Sequence, residues 1–219
     1  MNIEQARFNM VEQQIRTWEV LDQTVLDSLY VVRREDFVPA AYRALAFSDL
    51  EIPLAQDPSA RMLQPKVEAR IVQEIAPKTT DTVLEVGTGS GYLAALLAHH
   101  ARHVYSVEIN PSLKAMAEEN LRKANIKNLS LIEGDGARGW AAHAPYDVIV
   151  LGGSTPVLPD SLLAQLKVGG RLFAVVGEAP VMQAQLYTCV QAGSFNATTL
   201  FETCIAPLHN AQQPERFQF

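Results

Sequence analysis

The stretch Asp81–His100, DTVLEVGTGSGYLAALLAHH, runs from an unbroken apolar segment through three closely spaced glycines into an alanine- and leucine-rich segment. A short apolar run ending in glycine reads as a strand buried on both faces, and the alanine- and leucine-rich segment as a helix. Such a strand needs neighbours on both sides and cover above and below. That points to a parallel sheet with helices on its faces.

The rest of the chain continues the alternation. HVYSVEI is a second strand, and NPSLKAMAEENLRKA a helix with Asn110 as N-cap and Pro111 in its first turn. LSLIEG and YDVIVLGG are strands three and four, SLLAQL a short helix and GRLFAVVGE strand five. QAQLYTCVQ and NATTLFETCIAPL flank the turn signal AGSF and read as an antiparallel hairpin that finishes the sheet. The predicted fold is therefore α/β, a doubly wound seven-stranded mixed sheet with a C-terminal antiparallel hairpin.

Upstream, Phe8, Val11, Ile15 and Trp18 fall at helical spacing, and Val25, Leu26 and Leu29 make the inner face of a helix after Asp22. Residues 31–64 are less regular, with FVP and EIPL as short extended pieces. Pro65 suits a first helical position, followed by an apolar face of Val67, Ile71, Val72 and Ile75. The expected organisation is one domain over 1–219. Residues 1–64 form an N-terminal helical cap and lip, and 65–219 the core.

Composition narrows the function. With 219 residues, 48% of them hydrophobic, the chain is long enough for one sizeable core. A net charge of −6 with scattered basic residues gives no footprint for nucleic acid or an anionic membrane. No apolar run approaches the ~20 residues of a membrane helix, and the N-terminus lacks the apolar stretch of a signal peptide. Cys189 and Cys204 have no metal spacing and are expected as two buried thiols in a reducing cytoplasm. His99, His100 and His103 span a helix end and a strand start, so no metal site is read there.

Gly87, Gly89 and Gly91 stand where a backbone must turn sharply and approach a ligand closely. The following helix offers free N–H groups to an anionic group. Glu108 ends the next strand, where a carboxylate can accept from two ribose hydroxyls. The pattern is G-x-G-x-G with Glu85 two residues ahead, and Tyr92 follows the third glycine. That spacing departs from the dinucleotide fingerprint and suits a nucleotide-like ligand without a pyrophosphate.

VLEVGTGSGYLAALLA resembles the first motif of the Rossmann-like class I S-adenosyl-L-methionine-dependent methyltransferases. The resemblance implies that Glu85, Gly87, Thr88, Gly89, Ser90 and Gly91 carry the methionine part of the cofactor. By the same resemblance Glu108 and Ile109 hold the ribose, and Asp135 and Gly136 flank the adenine.

A narrower likeness covers about residues 10–208. MVEQQIRTWEVLDQTVLDSL, REDFVP, AFSDLEIPL, GDGARGW, APYDVIV, QLKVGGRL and IAPL resemble the protein-L-isoaspartate O-methyltransferases. That family methylates the carboxylate of isoaspartyl residues in protein repair. It implies a cytosolic enzyme, often a monomer, with protein or peptide substrates and no metal. Two loops depart from its pattern. The family has Gly-x-Gly-Gln-Thr-Ile-Ser before a Gln-Pro; here Gln64-Pro65 is preceded by Leu63 at the Ser, and the glycines give way to AQDPSARML. After strand four, Gly152 of LGGS stands where the family has Thr. The expected substrate lip is Asp57, Ser59, Leu63, Gln64, Gly152, Gly153 and Ser154. Ser59 or Ser154 would supply the missing hydroxyl, and Asp57 would repel a carboxylate or attract a cation; Ser59 and Asp57 are the catalytic candidates. Methylation of a small molecule or amine, and cofactor binding without turnover, remain as alternative readings.

Overall fold

The computed structural model describes residues 2–54 and 60–215. Its main sheet has seven strands: β3 (Thr82–Val86), β4 (His103–Glu108), β5 (Leu129–Glu133), β6 (Tyr146–Thr155), β7 (Leu166–Glu178), β8 (Val181–Gln191) and β9 (Ser194–Glu202). The order across the sheet is β5-β4-β3-β6-β7-β8-β9. The first five run parallel, and β8 and β9 pair antiparallel to close one edge. This is the expected seven-stranded mixed sheet. β9 is shorter than its apolar pattern suggests, because the chain leaves the edge after Glu202 and returns as TCIAPL toward the middle of the sheet.

Every residue of β3 is buried, and alternate positions serve different cores. Val83 joins Val104, Val148, Val150 and Phe173 beneath the long helices. Leu84 and Val86 face Ile149, Leu151 and Leu172 on the other side. Three helices pack on the first face: α3 (Pro65–Ile75), α4 (Tyr92–His100) and α5 (Pro111–Lys123). The second face is covered by shorter pieces, among them Trp140, α6 (Asp160–Leu163) and Leu208. Asn110 caps α5, its side chain accepting from Ser112 N at 2.9 Å.

The N-terminal region packs into the first core through Met10, Val11, Ile15 and Leu26. α1 (Ile3–Met10) runs into a π-type turn over Val11–Ile15, where Arg16 N–H reaches back to Val11 O. The extra residue in that turn sets Met10 and Ile15 on one side and leaves Phe8 half exposed, against the expected face. Arg7 points inward instead and pairs with buried Glu35. α2 (Gln23–Val31) starts at Asp22, which accepts from Thr24 N at 2.8 Å, and buries Val25, Leu26 and Leu29 as expected. FVP is a turn between two 3-10 segments, not an extended piece; Phe37 and Val38 supply core. EIPL does hold a short strand, β1 (Ile52–Pro53), paired antiparallel with β2 (Arg61–Met62). Cys189 is buried but Cys204 is exposed, so the expectation of two buried thiols holds for one. Among the described residues no helix is long and apolar enough to cross a membrane.

Candidate active site

β3 lies between β4 and β6, and the connections from the carboxyl ends of β3 and β6 diverge to opposite faces. A cleft opens there, as open α/β sheets lead one to expect. It holds a cavity of about 100 Å³ that is open to solvent at its mouth.

The glycine turn forms the floor. Gly87 N–H bonds Val107 O at 2.8 Å, and Gly91 N–H bonds Thr88 O at 2.9 Å, which turns the chain into α4. Gly91 is the N-cap with φ +85°, and an added Cβ there would meet Leu121 at 3.2 Å, so only glycine fits. Beneath the turn, Thr88 and Ser106 hydroxyls bond at 2.5 Å and Ser106 donates to Glu85. Glu85 is fully buried, and its Oε1 has no partner among the described residues. Burial pushes its carboxyl up to about 8, against the opposing Ser106 bond and with a further push from Glu108. Glu85 therefore stands under the floor and not on the cleft wall.

Glu108, at the end of β4, accepts from Gly89 N–H and Asn110 N–H at 2.9 Å each, one on each oxygen. The two bonds hold the carboxylate still, and each oxygen keeps a lone pair for a ligand hydroxyl. Glu108 and Ile109 line the cleft. After β5, Asp135 accepts from Ala137 N–H at 3.0 Å on Oδ1 and from the Asn210 amide at 2.9 Å on Oδ2. Gly136 lies against Val86, where an added Cβ would come within 2.8 Å of a methyl carbon.

The opposite wall is a small hairpin. Ile52 pairs with Met62 and Pro53 with Arg61, and Leu54 N–H bonds Ala60 O at 2.9 Å. Leu54, Ala60, Arg61 and Leu63 face the cleft, with Glu51 beside them. Leu63 carbonyl accepts from Arg34 at 2.7 Å, and fully buried Arg34 also pairs with Glu68 and lies over the Tyr92 ring. This ties the hairpin base to the cap. Tyr92 is thereby a core residue, with burial raising its phenol well above the usual range. Gln64 sits at the N-cap of α3 and does not line the cleft. Asp57 and Ser59 lie outside the described residues.

Gly152 and Gly153 of β6 line the cleft. A Cβ on Gly152 would lie 2.6 Å from Gly87 O, so the Thr that the family carries does not fit this backbone. Ser154 is not a source of the missing hydroxyl: it is buried and donates to Ile205 O at 3.0 Å. Its backbone bonds Ala206 O and Leu208 N–H, both at 2.9 Å, which makes Ala206–His209 the last wall of the cleft. The segment after Leu208 reads from sequence as a loose tail or a contact with another chain; its first residues instead pack on the site, through Asn210 and buried Ala211. Thr88 and Ser90 border a smaller crevice on the far side of the turn, shared with Arg61, Leu63 and Glu68. Sequence reading therefore missed Glu51, Arg61, Ala206–His209 and Asn210. The signal in reach was Pro207, which ends an apolar run too early for a strand.

The family model described as protein-L-isoaspartate(D-aspartate) O-methyltransferase matches residues 5–213. The chain belongs to this family. A protein-L-isoaspartate O-methyltransferase of Koribacter versatilis is 39% identical over 204 residues, spanning 92% of this chain and 90% of its own. One from Rhodopseudomonas palustris is 39% identical over 210 residues, spanning 94% and 95%. Among solved structures, a protein-L-isoaspartate O-methyltransferase superposes with a TM-score of 0.77 at 23% identity, covering 94% of this chain and 65% of that one. A Plasmodium falciparum protein described as a putative member, in complex with S-adenosyl-L-homocysteine, gives 0.76 at 18% identity, covering 91% and 96%. At these identities the two structures speak for the fold. Family membership makes the chain an S-adenosyl-L-methionine-dependent methyltransferase, as its motifs imply. The cleft fits such a cofactor: Gly87 and Gly89 let the backbone form its floor without side chains, and Glu108 and Asp135 offer fixed acceptor oxygens on its wall.

Proposed function

We propose that this chain methylates the carboxylate of isoaspartyl residues in damaged proteins, as one unit in which cap, lip and core act together. The observation that carries the reading is the extent of the family match, which takes in the cap and the lip as well as the cofactor motifs. Bound S-adenosyl-L-methionine would supply an electrophilic methyl group, an acceptor oxygen bonding its carbon in line as the carbon–sulfur bond breaks and the electron pair stays on sulfur as a neutral thioether. A carboxylate with a reference pKa near ~4 is already ionised at neutral pH, so the chain needs no general base. Its task is alignment and exclusion of water.

Glu108 and Ile109 take the ribose, Asp135 and Gly136 the adenine, and Gly87 and Gly89 border the methionine part. Glu85, Thr88, Ser90 and Gly91 brace the turn from below and behind. Leu54, Leu63, Gly152 and Gly153 border the acceptor side, with Asp57 and Ser59 in the connecting lip. The protein works in the cytoplasm on protein or peptide substrates, without a metal.

A second reading, transfer to a small molecule or amine, is favoured by Leu63 standing where the family has Ser and by the cleft-lining Glu51. Isoaspartyl and normal aspartyl forms of one peptide, incubated with labelled cofactor at pH 7, separate the two. Base-labile methyl ester on the isoaspartyl form alone is the expected result. Absence of ester in a sample that binds the cofactor would sink the proposal.

A further inference from the structure

We propose that Arg61 receives the acceptor carboxylate, its guanidinium standing where the family stretch has Thr. The inference rests on the isoaspartyl reading above and assigns the residue that would set its specificity.

Position comes first. Arg61 borders both the main cleft and the smaller crevice, and Leu63, Gly87, Gly89 and Gly152 are shared with it. Those residues mark the place where the glycine turn meets the lip, which is where donor and acceptor must come together. Pairing with Pro53 fixes the Arg61 backbone, and strand alternation sends Met62 into the core and Arg61 to the open side.

Charge comes next. Three carboxylates stand on the cleft wall, Glu51, Glu108 and Asp135, while Arg61 is its one lysine or arginine among the described residues. An anionic acceptor entering between those acids is repelled unless a cation offsets them. Glu51 Oε2 lies 4.0 Å from Arg61 Nε, near enough to steer the guanidinium and too far for a hydrogen bond. A guanidinium presents its donors in a fork that matches both oxygens of a carboxylate.

Among the described residues that line the cleft, His209 is the other side chain with a hydrogen to donate. Leu54, Leu63, Pro207 and the two glycines of β6 bring no side-chain hydrogen there, and the Ser154 hydroxyl is turned to Ile205. Counted back from Gln64, Leu63 falls at the Ser of the family stretch and Arg61 at its Thr. Two hydroxyl positions have thus become one guanidinium and one apolar wall. The exchange keeps an anion-binding group and changes its geometry.

The test uses Arg61→Gln and Arg61→Lys with two readouts. In steady state with an isoaspartyl peptide, Arg61→Gln should raise KM about tenfold to a hundredfold with kcat nearly unchanged, the loss of a charge-assisted hydrogen bond. Arg61→Lys should recover part of it. By calorimetry on protein loaded with S-adenosyl-L-homocysteine, the parent should bind the isoaspartyl peptide about tenfold more tightly than the same peptide with the free α-carboxyl of its isoaspartyl residue converted to a neutral amide, and Arg61→Gln should lose that preference. Its affinity for S-adenosyl-L-homocysteine should stay within about twofold, which also reports a folded site. Turnover by the parent with an unchanged KM in Arg61→Gln would overturn this assignment and leave the isoaspartyl reading standing. A weaker grip on S-adenosyl-L-homocysteine alone would place Arg61 on the cofactor and also overturn it. Acid-selective binding without turnover would support Arg61 and refute the isoaspartyl methyltransferase reading, whereas neither binding nor turnover would refute both.

Discussion

Replacing Glu85 with Gln should make the protein more stable as pH rises. Glu85 is fully buried under the glycine turn, with one oxygen on Ser106 and the other unpartnered among the described residues. Burial lifts its carboxyl from an ordinary 4.5 to about 8, so between those values the folded chain holds a proton that the unfolded chain has released. The stability this group lends is complete below 4.5 and is lost as pH rises through about 8. Each pH unit crossed inside that window costs about 1.4 kcal/mol, so pH 5 to 7 costs about 3 kcal/mol. Glutamine has the same shape and no charge to expel. Urea unfolding of parent and Glu85→Gln should therefore diverge steadily from pH 5 to 8, with the variant gaining relative to the parent, and run parallel above about pH 8. A fixed offset of either sign is compatible with the new amide hydrogens meeting a different environment. A difference that stays flat from pH 5 to 8 would show that Glu85 is ionised in the folded protein, and the reasoning would fail.

Removing Arg34 as Arg34→Ala strands Glu68 in the core and frees the Leu63 carbonyl, so unfolding free energy should fall by about 3–5 kcal/mol. Gly152→Ala drives a Cβ to 2.6 Å from Gly87 O, and calorimetry should show cofactor affinity down by about tenfold or more while the distant β8–β9 hairpin stays folded. Glu108→Gln turns an amide donor toward one of two backbone N–H groups, and should cost about 1–3 kcal/mol of stability in denaturant titrations together with most of the cofactor affinity.

Where burial on both faces dictated residue choice, the sequence was plain. β3 could be read because both of its faces are buried, and α2 and α3 because each turns one apolar face to the core. The donor half of the site was legible for a related reason: a sharp turn and a close approach demand glycine, and the one acid that ends β4 stands on the cleft wall. Other features left no mark. The π-type turn at Val11–Ile15 changes the phase of a helix without changing its composition, so Phe8 and Arg7 exchange sides unannounced. TCIAPL alternates like a strand, yet the backbone bonds of Ser154 draw it to β6 instead. Ser154 itself looks like a free hydroxyl in a loop, and only the fold shows it spent on Ile205. Arg61 reads as one charge in a polar stretch until Pro53 pairing fixes which way it leaves the strand.

The wall formed by Ala206–His209 also has a meaning in time. A growing chain that has emerged through β6 already owns the glycine turn, Glu108 and Asp135. It does not yet own Leu208 packed on Gly87 and Gly153, or the Asn210 amide on Asp135. Those arrive only after β8 and β9 have been synthesised and the chain has doubled back to the centre of the sheet. Half-made chains, and chains clipped after β9, thus carry every recognisable cofactor motif and still lack a finished site. The last wall of the cleft is thus added only after the edge of the sheet has been laid down.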